Sequence, residues 1–225
     1  VPTTALESRG YVDMTLDALA RFGVEARFEG ADTLRVPGGQ TYRHTDAELE
    51  GDYSQAAFFL AANALGGQVE ILGLNPRSVQ GDRVIVEQCR QLARPGRVEL
   101  DVSQCPDLVP PLAAMAALRA GETTALVNAA RLRMKESDRL SSVTQVLTAL
   151  GADIEEGVDS LTIRGVDTLA GGAAVDSHND HRIAMMAAVA ATRCAAPVTV
   201  RGAECVNKSY PNFWRDFAAL GGNKQ

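Results

Sequence analysis

The chain has 225 residues, 46% of them hydrophobic, and a formal net charge of −6. That length can bury a sizeable core in one or two domains, and the acidic balance argues against a nucleic-acid binder while leaving room for a local basic cleft. No apolar run approaches the roughly 20 residues of a membrane span and no signal peptide is visible; Cys89, Cys105, Cys194 and Cys205 lack CxxC spacing and read as reduced thiols of a cytosolic protein.

In chain order, an amphipathic helix is predicted over Ser8–Phe22, closed by Gly23, then two strands, Val24–Phe28 and Thr33–Val36, around a turn at Glu29–Asp32. Pro37-Gly38-Gly39 breaks the pattern, and Leu49–Asp52 reads as a connector. After it the sequence repeats itself. Asp52 opens an Ala-rich helix to Leu65, followed by a strand at Val69–Leu72 and a helix at Asp82–Leu92. Asp107 opens a second such helix through Leu118, followed by a strand at Thr123–Val127 and a helix at Glu136–Leu150. Asp180 opens a third, ended by Ala195-Ala196-Pro197, followed by a strand at Val198–Val200 and a helix at Pro211–Leu220. Asp is a good cap, and it stands at each Ala-rich start. Between units lie one strand (Val98–Val102) and a hairpin (Ala152–Ile154, Leu161–Ile163) with a further strand near Ala174-Val175.

A helix–strand–helix unit recurring about every 50 to 70 residues is an internal repeat, and Ala-rich helices apolar on most sides belong inside a shell of strands and outer helices. The segment before Asp52 carries only the tail of one more repeat, and the chain starts at Val1 without Met. Together these give the expectation that the chain is cut from a larger protein.

The densest run of charge is Arg131-Leu132-Arg133-Met134-Lys135-Glu136-Ser137-Asp138-Arg139. Read as a helix N-terminus it favours anions, with Lys135 and Arg139 one turn apart. Alone it reads equally well as a solvated, salt-bridged helix start. In a repeat, equivalent loops gather at one end. That would bring Gln104–Asp107, Met134–Arg139, His178–Arg182 and Asn207–Pro211 together. Lys135, Arg139, Arg182 and Lys208 would then form a nest of positive charge for phosphate or carboxylate, with Asp107 and Glu136 as acid/base groups among them. Taken singly, Asp107, Asp138 and Asp180 are ordinary helix caps. His44, His178 and His181 have no metal-motif spacing.

Ser8-Arg9-Gly10-Tyr11, Gly51-Asp52, Gln80-Gly81-Asp82, Pro106-Asp107, Arg133–Arg139, Asn179-Asp180-His181-Arg182-Ile183-Ala184-Met185 and Asn207-Lys208-Ser209-Tyr210-Pro211 resemble, in order and content, the C-terminal half of the 5-enolpyruvylshikimate-3-phosphate synthase family. The resemblance implies an α/β (α+β) fold, an inside-out barrel of repeated βαβαββ units with buried helices. It implies residues 1–47 as the end of a first domain and 48–225 as the second. It also implies transfer of the enolpyruvyl group of phosphoenolpyruvate to the 5-hydroxyl of shikimate 3-phosphate, with release of phosphate, in the cytoplasm and without metal or organic cofactor, by a protein that is a monomer at full length. By the same carry-over, Asp107 takes the hydroxyl proton and Glu136 is the proton donor. Ser8, Tyr11, Asp107 and Lys135 hold shikimate 3-phosphate; Arg139, Arg182 and Lys208 hold phosphoenolpyruvate; His181 orients a neighbour.

Two departures stand out. Arg131 occupies a position where the family often has Asn, so no role passes to it, and the Asp82–Val102 unit is short. The rival readings are a UDP-N-acetylglucosamine enolpyruvyl transferase, whose reactive Cys loop is absent here, and a non-catalytic binding paralogue. The missing upstream half implies that this chain alone is inactive.

Overall fold

A computed structural model describes residues 6, 9–31 and 33–222. Helix α1 (Arg9–Arg21) and the antiparallel hairpin β1 (Arg27–Glu29) and β2 (Thr33–Arg35) come first, as the sequence predicts. No residue of α1 is buried. The hydrophobic core cluster begins only at Tyr53.

Three helices fill the centre: α2 (Tyr53–Ala64), α4 (Val109–Ala117) and α6 (His181–Ala191). All nine residues of α4 are buried, including Pro110 and Pro111, whose missing N–H groups are harmless in a first turn. Ala side chains let the three helices pack closely, and burial of the surrounding Leu, Met and Val contributes about 1.5–3 kcal/mol per side chain. Outside them lie α3 (Ile85–Leu92), α5 (Arg139–Ala149) and α7 (Phe213–Ala219). The buried helices inside a shell of strands and outer helices bear out the predicted α/β architecture.

The strands show how the units join. Strand β3 (Val98–Asp101), the tail of one unit, runs parallel to β4 (Thr123–Val127) of the next. The hairpin β5 (Asp153–Glu156) and β6 (Leu161–Arg164) completes a four-stranded sheet in the order β3-β4-β6-β5. Strands β7 (Leu169–Gly171) and β8 (Ala174–Asp176) leave that unit for the third, pairing in parallel with β9 (Cys194–Ala196) and β10 (Thr199–Arg201).

Four elements differ from the sequence reading. Val69–Leu72 is not a strand. Its first residue is instead held by the Asn63 amide, which accepts from the Val69 N–H (2.7 Å) and donates to its carbonyl (2.8 Å). No tail strand of a preceding unit lies beside it among the described residues. Helix α6 stops at Ala191, and Cys194–Ala196 is a strand rather than the helix end. Its close approach to β7 needs Gly171, where a Cβ would fall 2.2 Å from the Ala196 carbonyl oxygen. β7 itself, three residues long with one buried, has too little pattern to be read. Finally, α5 begins at Arg139, not Glu136. Asp138 caps it by accepting from the Ser141 N–H (3.2 Å), and residues 130–134 form a separate 3-10 turn.

Candidate active site

The four loops do converge, and the basic run divides among three tasks. Arg133 is structural: it donates to Asp138 (2.9 Å), Glu156 (2.8 Å) and the carbonyls of Val158 (2.9 Å) and Gly157 (2.8 Å), clamping the loop to the β5–β6 hairpin. Lys135, in extended backbone before α5, points at Asp107, Nζ to Oδ1 3.4 Å. Arg139 turns inward and is 1% exposed. Since Lys135 precedes the helix, the two are not one helical turn apart.

Arg139 organises the site. Its Nε and Nη2 donate to the two oxygens of Asp180 (2.7 and 3.3 Å), Nη1 to Asp107 Oδ1 (2.7 Å) and Nη2 to Glu136 Oε2 (2.7 Å). Asp180 is fully buried. It caps α6 by accepting from the Arg182 N–H (2.9 Å) and also takes the Ser137 hydroxyl (3.2 Å). Two successive left-handed non-glycine residues, His178 (φ 52°) and Asn179 (φ 54°), bend the chain into this cap. The strained turn is held by the Asp176 carboxylate on the His178 N–H (2.6 Å) and by the Ser177 hydroxyl on Gly202 (3.0 Å).

Asp107, in the 3-10 turn Pro106–Leu108, makes no cap bond. Its carboxylate is spent on cations instead: Arg139, Lys135 and Arg182, whose Nη2 donates to Oδ2 at 3.0 Å. Burial pushes its pKa up, but Arg182, Arg139 and Lys135 outweigh burial and hold it at about 2. Arg182 reaches Asp107 across the N-terminus of α2, donating also to the Ser54 hydroxyl at 3.1 Å. Glu136 receives the Lys208 ammonium on Oε1 (2.9 Å) and Arg139 on Oε2. Burial raises this carboxyl too, and the hydrogen bond from Lys208 leads the effects that bring it down to about 2. Lys208, more than half exposed, stands on the 3-10 turn Ala203–Lys208. That turn is fixed by the Trp214 indole on the Ala203 carbonyl (2.8 Å) and by the aromatic cluster of Phe59, Tyr210, Phe213, Trp214 and Phe217. An open cavity of about 440 Å³ lies against Glu136, Asn179, Glu204, Cys205 and Lys208.

Of the predicted site residues, Asp107, Lys135, Glu136, Arg139, Arg182 and Lys208 thus form one continuous ion-paired cluster. Tyr11 reaches its edge from α1, and burial with Asp82 and Asp107 pushes its phenol well above the ordinary range. His181 lies behind, 4% exposed, with Nδ1 unbonded and 3.8 Å from Asp180; burial and Arg182 push its imidazole below the ordinary range. Ser8 lies outside the described residues. The expected nest of free positive charge is closed by its own acids: four cations face Asp107, Glu136 and Asp180, leaving one net positive charge. Asp180 as the buried counter-ion of Arg139, and Ser54 as a partner of Arg182, escaped the sequence reading. A cap aspartate looks the same with or without a second duty. Among the described residues no group of three His, Cys, Asp or Glu side chains is placed to hold a metal, all four cysteines are free, and no helix is long and apolar enough to cross a membrane.

Buried Ala-rich helices walled by repeated units, with cations and carboxylates interleaved near their N-termini, define an α/β protein with an ion-paired cluster at one end of its central helices. Residues 2–217 match the family model of EPSP synthase (3-phosphoshikimate 1-carboxyvinyltransferase), and the chain belongs to that family. It is 47% identical to the 3-phosphoshikimate 1-carboxyvinyltransferase of Clostridium kluyveri and 46% identical to that of Clostridioides difficile, in each case over 98% of this chain. It covers 55% and 54% of those proteins, so it spans about half the length of the curated relatives it matches. Among solved structures, the EPSP synthase from Acinetobacter baumannii superposes with a TM-score of 0.77 at 28% identity, over 93% of this chain and 54% of that one. The enolpyruvyl transferase NikO from Streptomyces tendae shares the fold, with a TM-score of 0.69 at 18% identity over 98% of this chain and 54% of that one.

Proposed function

We propose that this chain supplies half of the site of a 3-phosphoshikimate 1-carboxyvinyltransferase: it helps transfer the enolpyruvyl group of phosphoenolpyruvate to the 5-hydroxyl of shikimate 3-phosphate, releasing phosphate, in the cytoplasm. The observation that carries the reading is the joining of Asp107, Lys135, Glu136, Arg139, Arg182 and Lys208 through shared ion pairs. Residues 1–47 would close one domain and 48–225 form the other, in keeping with a core that starts at Tyr53.

In this reading Lys135 and Tyr11, with Ser8, hold shikimate 3-phosphate beside Asp107, and Asp107 accepts the 5-hydroxyl proton. It is ionised at every working pH, as a base must be, and the three cations that hold it so also make it a weak one. Arg182 and Lys208 take the anionic groups of phosphoenolpyruvate. Arg139, wholly enclosed by carboxylates, contributes charge through them rather than by open contact. Glu136 must carry a proton to deliver it to C3, yet here Lys208 and Arg139 keep it ionised. A phosphoenolpyruvate anion that draws Lys208 away and adds negative charge nearby would raise the Glu136 carboxyl, so that donor binding itself arms the acid. His181, buried 3.8 Å from Asp180 with no hydrogen bond from Nδ1, orients that neighbour from behind the cluster.

The test joins this chain to the upstream half of the Clostridium kluyveri relative and measures phosphate release. Release should require both substrates, and Glu136→Gln should lower kcat roughly 10²-fold or more with little change in KM. This chain without the upstream half should show no turnover. Turnover by the chain alone, or a near-normal kcat in Glu136→Gln, would overturn the assignment.

A further inference from the structure

Asp82 stands outside the four loops and has no part in the chemistry above. It lies in the 3-10 turn Gly81–Val84 and is 4% exposed. Its Oδ1 has no hydrogen-bond partner, and its Oδ2 accepts from the Tyr11 hydroxyl at 3.4 Å. The groups facing it are Tyr11 from α1, Asp52 at the N-cap of α2, Cys105 and Asp107 from the turn before α4, and Arg182 from α6. Asp107 intercepts Arg182 at 3.0 Å, so the cation that would offset the Asp82 charge is already paired. Burial and Asp107 push the Asp82 carboxyl up to about 6. Two carboxylates thus share a neighbourhood with opposite fates: Asp107 is ionised by three cations, and Asp82 is poised to hold a proton near neutrality.

Both acids face one phenol, which has a single proton to give. The contact is tightly held. A Cβ on Gly10 would fall 2.9 Å from the Gly81 Cα, so glycine lets α1 lie directly on the turn that carries Asp82. The Arg9 N–H donates to Gln104 Oε1 (3.1 Å), tying the same end of α1 to the loop that leads into Asp107. An ionised Asp82 draws the Tyr11 proton to itself. A protonated Asp82 donates to the phenol oxygen and turns the Tyr11 proton toward Asp107.

We propose that Asp82 is a positioning residue: by taking up one solvent proton it reverses the Tyr11 hydrogen bond, so that a line Asp82–Tyr11–Asp107 orients the Asp107 carboxylate and the phenol edge of the acceptor site. The catalytic meaning of this line rests on Asp107 being the base of the reaction proposed above. The line itself does not.

The experiment therefore uses this chain without substrate. Tyrosine labelled with ¹³C at Cζ and aspartate labelled at Cγ are followed by NMR from pH 4 to 8. The Asp82 carboxyl should titrate with a midpoint near 6. The Tyr11 Cζ resonance should shift with the same midpoint. Asp82→Asn, whose amide donates as the protonated acid would, should fix Tyr11 at its low-pH position across the whole range, whereas Asp52→Asn should leave the inflection in place. A wild-type Asp82 midpoint below pH 5, which needs no variant to measure, would overturn the proposal. So would a Tyr11 inflection that survives Asp82→Asn. If these signals behave as stated while shikimate 3-phosphate moves none of them, the line exists and the substrate assignment is what fails.

Discussion

Arg139→Met is the substitution whose cost can be worked most closely from the structure. Methionine fills much of the same volume but leaves three carboxylates that now receive four charged hydrogen bonds between 2.7 and 3.3 Å. Asp180 is fully buried and loses the guanidinium that pairs it, whereas Asp107 keeps Arg182 and Lys135 and Glu136 keeps Lys208. Removing one partner of a buried ion pair costs about 3–5 kcal/mol, most of it from the charge left behind. Against a typical domain stability of roughly 5–15 kcal/mol that is a large share. For a chain of this size it corresponds to a fall in Tm of about 6–20 °C. The sign of the pH effect follows from the same geometry. Without Arg139 the Asp107 carboxyl, held at about 2 in the intact cluster, rises toward its ordinary value, so acid removes the charge that Arg139 stabilised, and the deficit measured by urea unfolding should shrink as pH falls from about 4 toward 2. Adding Asp180→Asn should recover part of the loss at pH 7. A deficit below about 1 kcal/mol, or one that grows as pH falls, would refute the placing of Arg139 as the buried centre of the cluster.

Acid titration of stability should show two opposed limbs. Asp107, held at about 2 against an ordinary 3.8, contributes stability that is complete above about pH 4 and lost as pH falls toward 2, about 2 kcal/mol in all. Asp82, raised to about 6, does the reverse: its ionisation costs stability above pH 6, and the cost, about 3 kcal/mol, is relieved as pH falls toward 4. Urea midpoints should therefore rise from pH 7 to 5 in the wild type, and Asp82→Asn should flatten that rise; equal slopes in the two proteins would contradict it. Phe213→Ala empties the centre of the aromatic cluster and should cost about 3–5 kcal/mol while loosening the turn that carries Lys208, seen as faster hydrogen exchange at Val206 and Tyr210. Unchanged exchange there would separate the cluster from the site.

What the sequence made legible follows from local physics. Ala-rich stretches opened by Asp marked the three central helices because a buried helix must be apolar on most faces and still satisfy its first N–H groups. Asp52 and Asp180 do cap α2 and α6. Asp107 occupies the same place in the repeat and caps nothing, since three cations offer its carboxylate more than a backbone N–H can. That preference depends on residues 28 to 75 positions away and leaves no local trace. The basic run misled for a related reason. Charges next to an amphipathic pattern look like a helix start, but Asp138 is the better cap, so the helix waits for Arg139 and Lys135 stays in extended backbone. Strands β7 and β9 are three residues each and exist through their pairing, and the Val69–Leu72 stretch, apolar enough for a strand, lacks a ladder partner among the described residues. The four-loop convergence was legible through the repeat. That the cations would arrive already matched by acids was not, because pairing is set by side-chain geometry rather than by order in the chain.

The most direct measurement is a two-ligand NMR titration of this chain, following backbone amides as shikimate 3-phosphate and then phosphoenolpyruvate are added. The site proposed here predicts weak, saturable shifts: the first ligand should move Tyr11, Asp107 and Lys135, and the second Glu136, Arg182 and Lys208, with Arg182→Ala abolishing the second set alone. Shifts centred elsewhere on the surface, or none at millimolar ligand with the fold intact, would contradict it.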